Sequence, residues 1–131
     1  MEASEAISVV LADDDAAFLS SLRALIDGED GLSVAAIATD GVEAIEFVDE
    51  LHPDALVIDL HMPRLDGVSA IARLREDHPR LCVIALTGDE SREIHDRVAK
   101  AGGNAVLLKS EVAAGLPAQL RAAIPLLEPE P

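Results

Sequence analysis

The chain has no tryptophan and no tyrosine, and Phe18 and Phe47 are its only phenylalanines in 131 residues. Platforms for stacking nucleobases are therefore missing, and the core must be built from aliphatic side chains. Positive charge is also scarce, with 10 Lys and Arg against 25 Asp and Glu, a formal net charge of −15. Such a surface repels nucleic acid and anionic membranes and attracts cations. The lone cysteine, Cys82, has no partner for an internal disulfide and lies inside an apolar run, where it reads as a small core residue. No apolar run approaches the roughly 18 residues of a membrane-crossing helix, and the first six residues lack the basic-then-apolar order of a signal peptide. These absences point to a cytoplasmic protein with no membrane contact and no direct nucleic-acid binding.

Half of the residues are apolar, enough for one core at this length. Runs rich in Val and Ile alternate with segments of helical period, the pattern of βαβ units on a parallel sheet. Strands are expected at 7–12, 32–38, 55–58, 81–86 and 105–108, and helices at 16–27, 41–50, 68–77, 91–101 and 112–124. The strands are nearly all apolar, as strands covered on both faces are. On the first helix Phe18, Leu22, Leu25 and Ile26 share a face, and on the second Val42, Ile45 and Val48 do. Asp40 and Glu43 have the spacing of a capping box, and Asp15 is a candidate cap for the first helix. Gly115 and Pro117 weaken the start of the last helix, where Pro117 fits best as the first regular position. Residues 1–6 and 125–131 read as flexible tails around one domain at 7–124, and the closing Glu-Pro-Glu-Pro is either a natural terminus or the start of a linker.

Four of the apolar runs stop at residues that handle phosphate or metal. The first ends at Asp13-Asp14, the third at Asp59, the fourth at Thr87-Gly88 and the fifth at Lys109. In an open parallel sheet these carboxyl ends share one edge, where such folds place their sites. Carboxylates at about 4 Å repel by on the order of 4 kcal/mol per pair at an effective dielectric of about 20. A hard divalent cation offsets that repulsion, and a small set of oxygen ligands suits Mg²⁺ with waters retained. Capping explains one residue of Asp13-Asp14-Asp15 but not three. The Thr87 hydroxyl and Gly88 amide are suitable donors to a phosphoryl oxygen, and Lys109 has the reach of a mobile counter-charge. Each residue alone also has an ordinary role as a cap, turn or strand end. Their coincidence at one edge carries the reading.

Ala12-Asp13-Asp14-Asp15, the run from Pro53 through Asp59, Met62-Pro63 and Asp66-Gly67, then Thr87-Gly88 and Leu107-Leu108-Lys109, resemble the receiver domain of two-component response regulators. The resemblance covers residues 7–124. It implies a flavodoxin-like three-layer α/β fold, a five-stranded parallel sheet of order 2-1-3-4-5 with five helices. It implies that Asp59 accepts a phosphoryl group from a histidine kinase. By the same resemblance Asp14 and Asp59 bind Mg²⁺ or Mn²⁺ with the backbone carbonyl of His61, and Asp13 acts through metal-bound water. Lys109 pairs with the phosphoryl group, Thr87 swings in to bond it, the Gly88 amide contacts it, and His61 and Asp89 tune its lifetime. The output face is the fourth helix, fifth strand and fifth helix, where relatives meet an effector domain or form homodimers; Ser91, Arg92, His95 and Lys100 are its candidates here. The role is that of a signalling phosphoacceptor that can lose its own phosphate, not of an enzyme.

Two positions depart from the common receiver pattern. Val106 stands where many receivers carry Tyr or Phe, which removes an aromatic rotamer switch. Ser110 follows the lysine where many have proline, so Lys109–Ser110 is expected trans, a cis bond without proline costing about 2.5 to 4 kcal/mol. Leu107-Leu108-Lys109-Ser110 is more similar to receivers that precede a LuxR-type helix-turn-helix. Two alternatives stay open. One is an interaction module that keeps the pocket without phosphate control, which Val106 favours; the other is an aspartate-based Mg²⁺ phosphatase, whose Asp-x-Asp spacing Asp13 and Asp15 meet.

Overall fold

A computed structural model of the chain describes residues 6–89 and 91–123. The tails expected at 1–6 and 125–131, Ala6 apart, fall outside the described residues, as does the helix end expected at Ile124. The strands are β1 (Ile7–Ala12), β2 (Leu32–Ala38), β3 (Ala55–Asp59), β4 (Cys82–Thr87) and β5 (Ala105–Leu108). They alternate with α1 (Ala16–Asp27), α2 (Gly41–Leu51), α3 (Gly67–Asp77), α4 (Arg92–Ala101) and α5 (Val112–Ala123). All pairings are parallel and the order is β2-β1-β3-β4-β5, the expected flavodoxin-like arrangement. No described helix is long and apolar enough to cross a membrane.

Alternation along the strands divides the core into two layers. Val9 and Leu11 of β1 pack with Leu22 and Ile26 of α1 and Leu116 and Leu120 of α5. Val10 and Ala12 face the other way, toward Val48 of α2, Ile71 and Leu74 of α3 and Val98 of α4. Every residue of β3 and β4 is buried, and Cys82 is a free, buried thiol. The edge strands depart from the expected burial on both faces: Ser33 and Ala35 of β2 are exposed and no residue of β5 is fully buried. An edge strand has a neighbour on one side only.

Helix starts follow the caps in the sequence. Asp15 accepts from the amides of Ala17 and Phe18 at 3.0 and 3.1 Å, Asp66 from Ser69 at 2.9 Å, and Ser91 from Ile94 at 3.2 Å. Asp40 accepts from the Glu43 amide at 2.8 Å, while the Glu43 carboxylate reaches back to the Thr39 amide at 2.8 Å. The box thus closes one residue earlier than its usual form.

Three expectations need correction. On α1 the buried residues include Leu19, with Phe18 and Leu25 only partly covered. On α2 the buried face is Gly41, Ala44 and Val48, and Val42 stays outside it. Small residues let this helix sit close, since a Cβ on Gly41 would collide with the Leu65 carbonyl. A 3₁₀ turn at Lys109–Glu111 leads directly into α5, so Pro117 lies inside the helix and not at its first position. Proline there forgoes one backbone hydrogen bond, and complete burial of Leu116 and Leu120 outweighs it. No described peptide bond is cis, so Lys109–Ser110 is trans as expected.

Arg75 fastens α3 to the turn between α4 and β5. Its Nε and Nη2 donate to the Gly102 carbonyl at 3.0 and 2.7 Å, and Nη1 donates to the carbonyls of His78 and Pro79 at 2.9 and 3.0 Å. Nη2 also reaches Asn104 Oδ1 at 3.1 Å, which accepts from the Val83 amide at 2.7 Å.

Candidate functional site

Parallel register brings the four strand ends into one row. Ala12 pairs with Ile58, Asp59 with Leu86, and Thr87 with Leu108. Asp13 therefore leaves β1 beside the end of β3, at the crevice where the strand order reverses. Its amide is fixed to the Ala38 carbonyl at 3.1 Å. Asp13 and Asp59 are 0% and 4% exposed, whereas Asp14 is open to solvent. One carboxylate oxygen from each of the three lies within 4.8 Å of the others.

This donor set fits a hard divalent cation. Asp13 Oδ1 accepts from the Asp15 amide at 2.9 Å, but the buried Oδ2 has no directed hydrogen bond. Its partner is the Lys109 ammonium, 2.7 Å away in a contact of charges, and the same ammonium lies 3.5 Å from Asp59 Oδ2. Burial and then the neighbouring Asp13 charge push the Asp59 carboxyl above its ordinary range, against the His61 backbone amide and Lys109, which stabilise the ionised form. Burial pulls the Lys109 ammonium down, and the carboxylates of Asp13 and Asp59 outweigh it, leaving it above its ordinary value.

The loop behind Asp59 has no slack. A Cβ on Gly67 would lie 2.5 Å from the Asp59 carbonyl oxygen and 2.8 Å from Leu60 Cα. Arg64, at φ 68°, binds Asp40 Oδ2 through Nε at 3.0 Å and Nη2 at 2.9 Å, joining this loop to the cap of α2. The Glu43 amide, then Arg64, hold the Asp40 carboxyl below its ordinary value. Gly67 belongs to the run that carries the receiver resemblance, but neither it nor Arg64 had been given a role in the site.

The sequence profile of the response regulator receiver domain matches residues 9–121. This chain belongs to that family. It is 40% identical over 87 residues to protein-glutamate methylesterase/protein-glutamine glutaminase 5 of Myxococcus xanthus, a match covering 65% of this chain and 25% of that protein. It is 37% identical over 126 residues to response regulator MprA of Mycobacterium bovis, covering 95% of this chain and 53% of that protein. Among solved structures it is similar to the response regulator domain of Thermotoga maritima CheB, with TM-score 0.85 and 27% identity over 97% of this chain and 100% of that one. A LuxR-family two-component response regulator from Aurantimonas sp. gives TM-score 0.87 and 27% identity over 93% of this chain and 86% of that one. The receiver thus spans about a quarter to a half of the length of these curated relatives.

The receiver assembles Asp13, Asp14, Asp59 and Lys109, and it ties Thr87 to its own loop. The buried Thr87 hydroxyl donates to the Asp89 carbonyl and accepts from the Asp89 amide, both at 3.1 Å. Gly88 is exposed, with nothing within 4 Å of where a Cβ would stand. Val106 is half-buried at the wall of a groove of about 280 Å³ between α4 and β5, which His95, Val98 and Gly103 also line. The Phe18 ring lies under the Lys109 ammonium, 4.6 Å from Nζ to its centroid. The sequence had offered Phe18 only as part of the α1 core face.

Proposed function

We propose that this receiver takes a phosphoryl group from a cytoplasmic histidine kinase onto Asp59, with Mg²⁺ or Mn²⁺, and thereby switches a protein contact. The observation that carries the reading is the Lys109 ammonium set between Asp13 and Asp59, at 2.7 and 3.5 Å, beside a third carboxylate within metal-sharing distance. Asp14, Asp59 and the His61 backbone carbonyl would hold the cation, with Asp13 acting through water, which supplies positive charge to phosphoryl oxygens.

An Asp59 carboxylate oxygen attacks phosphorus as the bond from phosphorus to the donor imidazole breaks, and the electron pair leaves with the imidazole. The protein contributes position and charge. Lys109 and the His61 amide favour the ionised nucleophile and oppose the effect of its burial. Lys109 then turns from Asp13 to the phosphoryl group, Thr87 exchanges its Asp89 partners for a phosphoryl oxygen, and the unobstructed Gly88 amide donates a further bond. Water later removes the phosphate past His61 and Asp89. The contact that changes is on α4, β5 and α5, with an effector domain, an output protein or a second copy.

Acetyl phosphate with Mg²⁺ is expected to add one phosphate by intact mass, with none on Asp59→Asn and none in excess chelator. Absence of an adduct from both a small donor and a cognate kinase would overturn the reading in favour of a phosphate-independent interaction module. The Thr87 tie to Asp89 and the missing aromatic at Val106 are the features that favour that second reading. Turnover of a phosphomonoester that survives Asp59→Asn would instead support a phosphatase.

A further inference from the structure

The geometry points to Phe18 as the seat of the Lys109 ammonium, a positioning residue that sets how fast Asp59 takes phosphate; this rests on the receiver reading above. Phe47, the other phenylalanine, packs in the opposite layer, so Phe18 is the only aromatic against an otherwise aliphatic α1/α5 layer. Its ring centroid is 4.6 Å from Nζ, inside the roughly 6 Å over which the negative ring face attracts a cation.

Four contacts close a circuit around the site. Asp13 Oδ1 accepts from the Asp15 amide at 2.9 Å, and Asp15 Oδ1 accepts from the Phe18 amide at 3.1 Å. The Phe18 ring meets Lys109, and Lys109 returns to Asp13 Oδ2 at 2.7 Å. Asp13 therefore fixes both the helix turn that carries the ring and the ammonium that rests on it.

Of the two anions that Lys109 meets, Asp13 and Asp59, the second is altered by the reaction. Asp59 becomes an acyl phosphate, and the charge that Lys109 must meet moves outward onto the phosphoryl oxygens. The ring is neutral and does not change, so it holds the ammonium while the anion is exchanged. A leucine would fill similar space and desolvate the ammonium without offering a negative face.

Two readouts on the whole chain test the assignment with Phe18→Leu and Phe18→Trp. The first needs no phosphate: the ε-methylene protons of Lys109 are expected upfield by ring current in the wild type and to lose that shift in Phe18→Leu. The second is the rate of phosphate uptake from acetyl phosphate with Mg²⁺. Phe18→Leu is expected to slow it by about three- to tenfold, and Phe18→Trp to restore most of it. Phe18→Met serves in place of Phe18→Leu if the latter does not fold. Uptake by Phe18→Leu at the wild-type rate, or by Phe18→Trp no faster than Phe18→Leu, overturns the seat. A wild type that takes no phosphate overturns the receiver reading instead. The Lys109 resonance then decides the seat alone, its loss in Phe18→Leu supporting it and its persistence overturning it.

Discussion

On the β1/β3 side of the sheet edge, Asp13 and Asp59 are buried, Lys109 bridges them, and there is no room for a methyl group behind Asp59. On the β4/β5 side, Gly88 stands in open space, Thr87 is bonded to its own loop, and Val106 leaves a groove against α4. Holding a phosphoryl group requires charges fixed before it arrives, whereas a switch requires two arrangements close in energy. Under the proposed function the two halves would serve these opposite demands with residues one strand apart.

Gly67→Ala strikes the tight half hardest, because the clash is with the backbone of Asp59 and Leu60. A loss of about 3 kcal/mol is expected in urea unfolding, with a fall in phosphate uptake; wild-type stability would show slack behind Asp59. Lys109→Ala comes next, leaving two buried carboxylates without their counter-charge. Since Lys109 is 25% exposed, the expected loss is about 2 kcal/mol, below that for a fully buried pair. Added Mg²⁺ is expected to recover part of the unfolding midpoint.

Asp59→Asn is expected to stabilise the unliganded protein at neutral pH by about 1 kcal/mol. Burial and Asp13 raise the folded pKa of Asp59, so its contribution is present below the unfolded pKa and lost as the pH rises through the folded one. Ionised Asp59 is then a net cost that asparagine removes. Melting curves of the two proteins are expected to converge as the pH falls toward about 4, the ordinary carboxylate range; a constant gap would assign the effect to packing. Val106→Phe probes the loose half and is expected to change stability by less than about 1 kcal/mol while filling part of the groove. A large destabilisation would mean that the groove has no spare volume.

The gathering of Asp13, Asp59, Thr87 and Lys109 along one edge was legible because parallel pairing forces strand ends together, so it needed only the right strand assignment. Caps at Asp15 and Asp40 were local and equally readable, whereas Ser91, expected inside the fourth helix, caps it instead. Phe18 under Lys109 and Arg64 on Asp40 join elements distant in the chain, and their contacts depend on side-chain directions that no local spacing encodes. Pro117 was misplaced for a related reason: its local penalty was visible, whereas the burial of Leu116 and Leu120 that outweighs it is tertiary.

The Arg75 clasp on the Gly102 carbonyl gives α4 a fulcrum. A rod pinned at one end swings, and its displacement grows with distance from the pin. With ten residues, α4 is about 15 Å long, so a tilt of about 10° carries its far end roughly 2.6 Å. That far end begins at Ser91, two residues beyond Asp89, the residue whose backbone holds Thr87. Small travel at the phosphate would be read as leverage, greatest in the first turn of α4 and close to nil at Gly102.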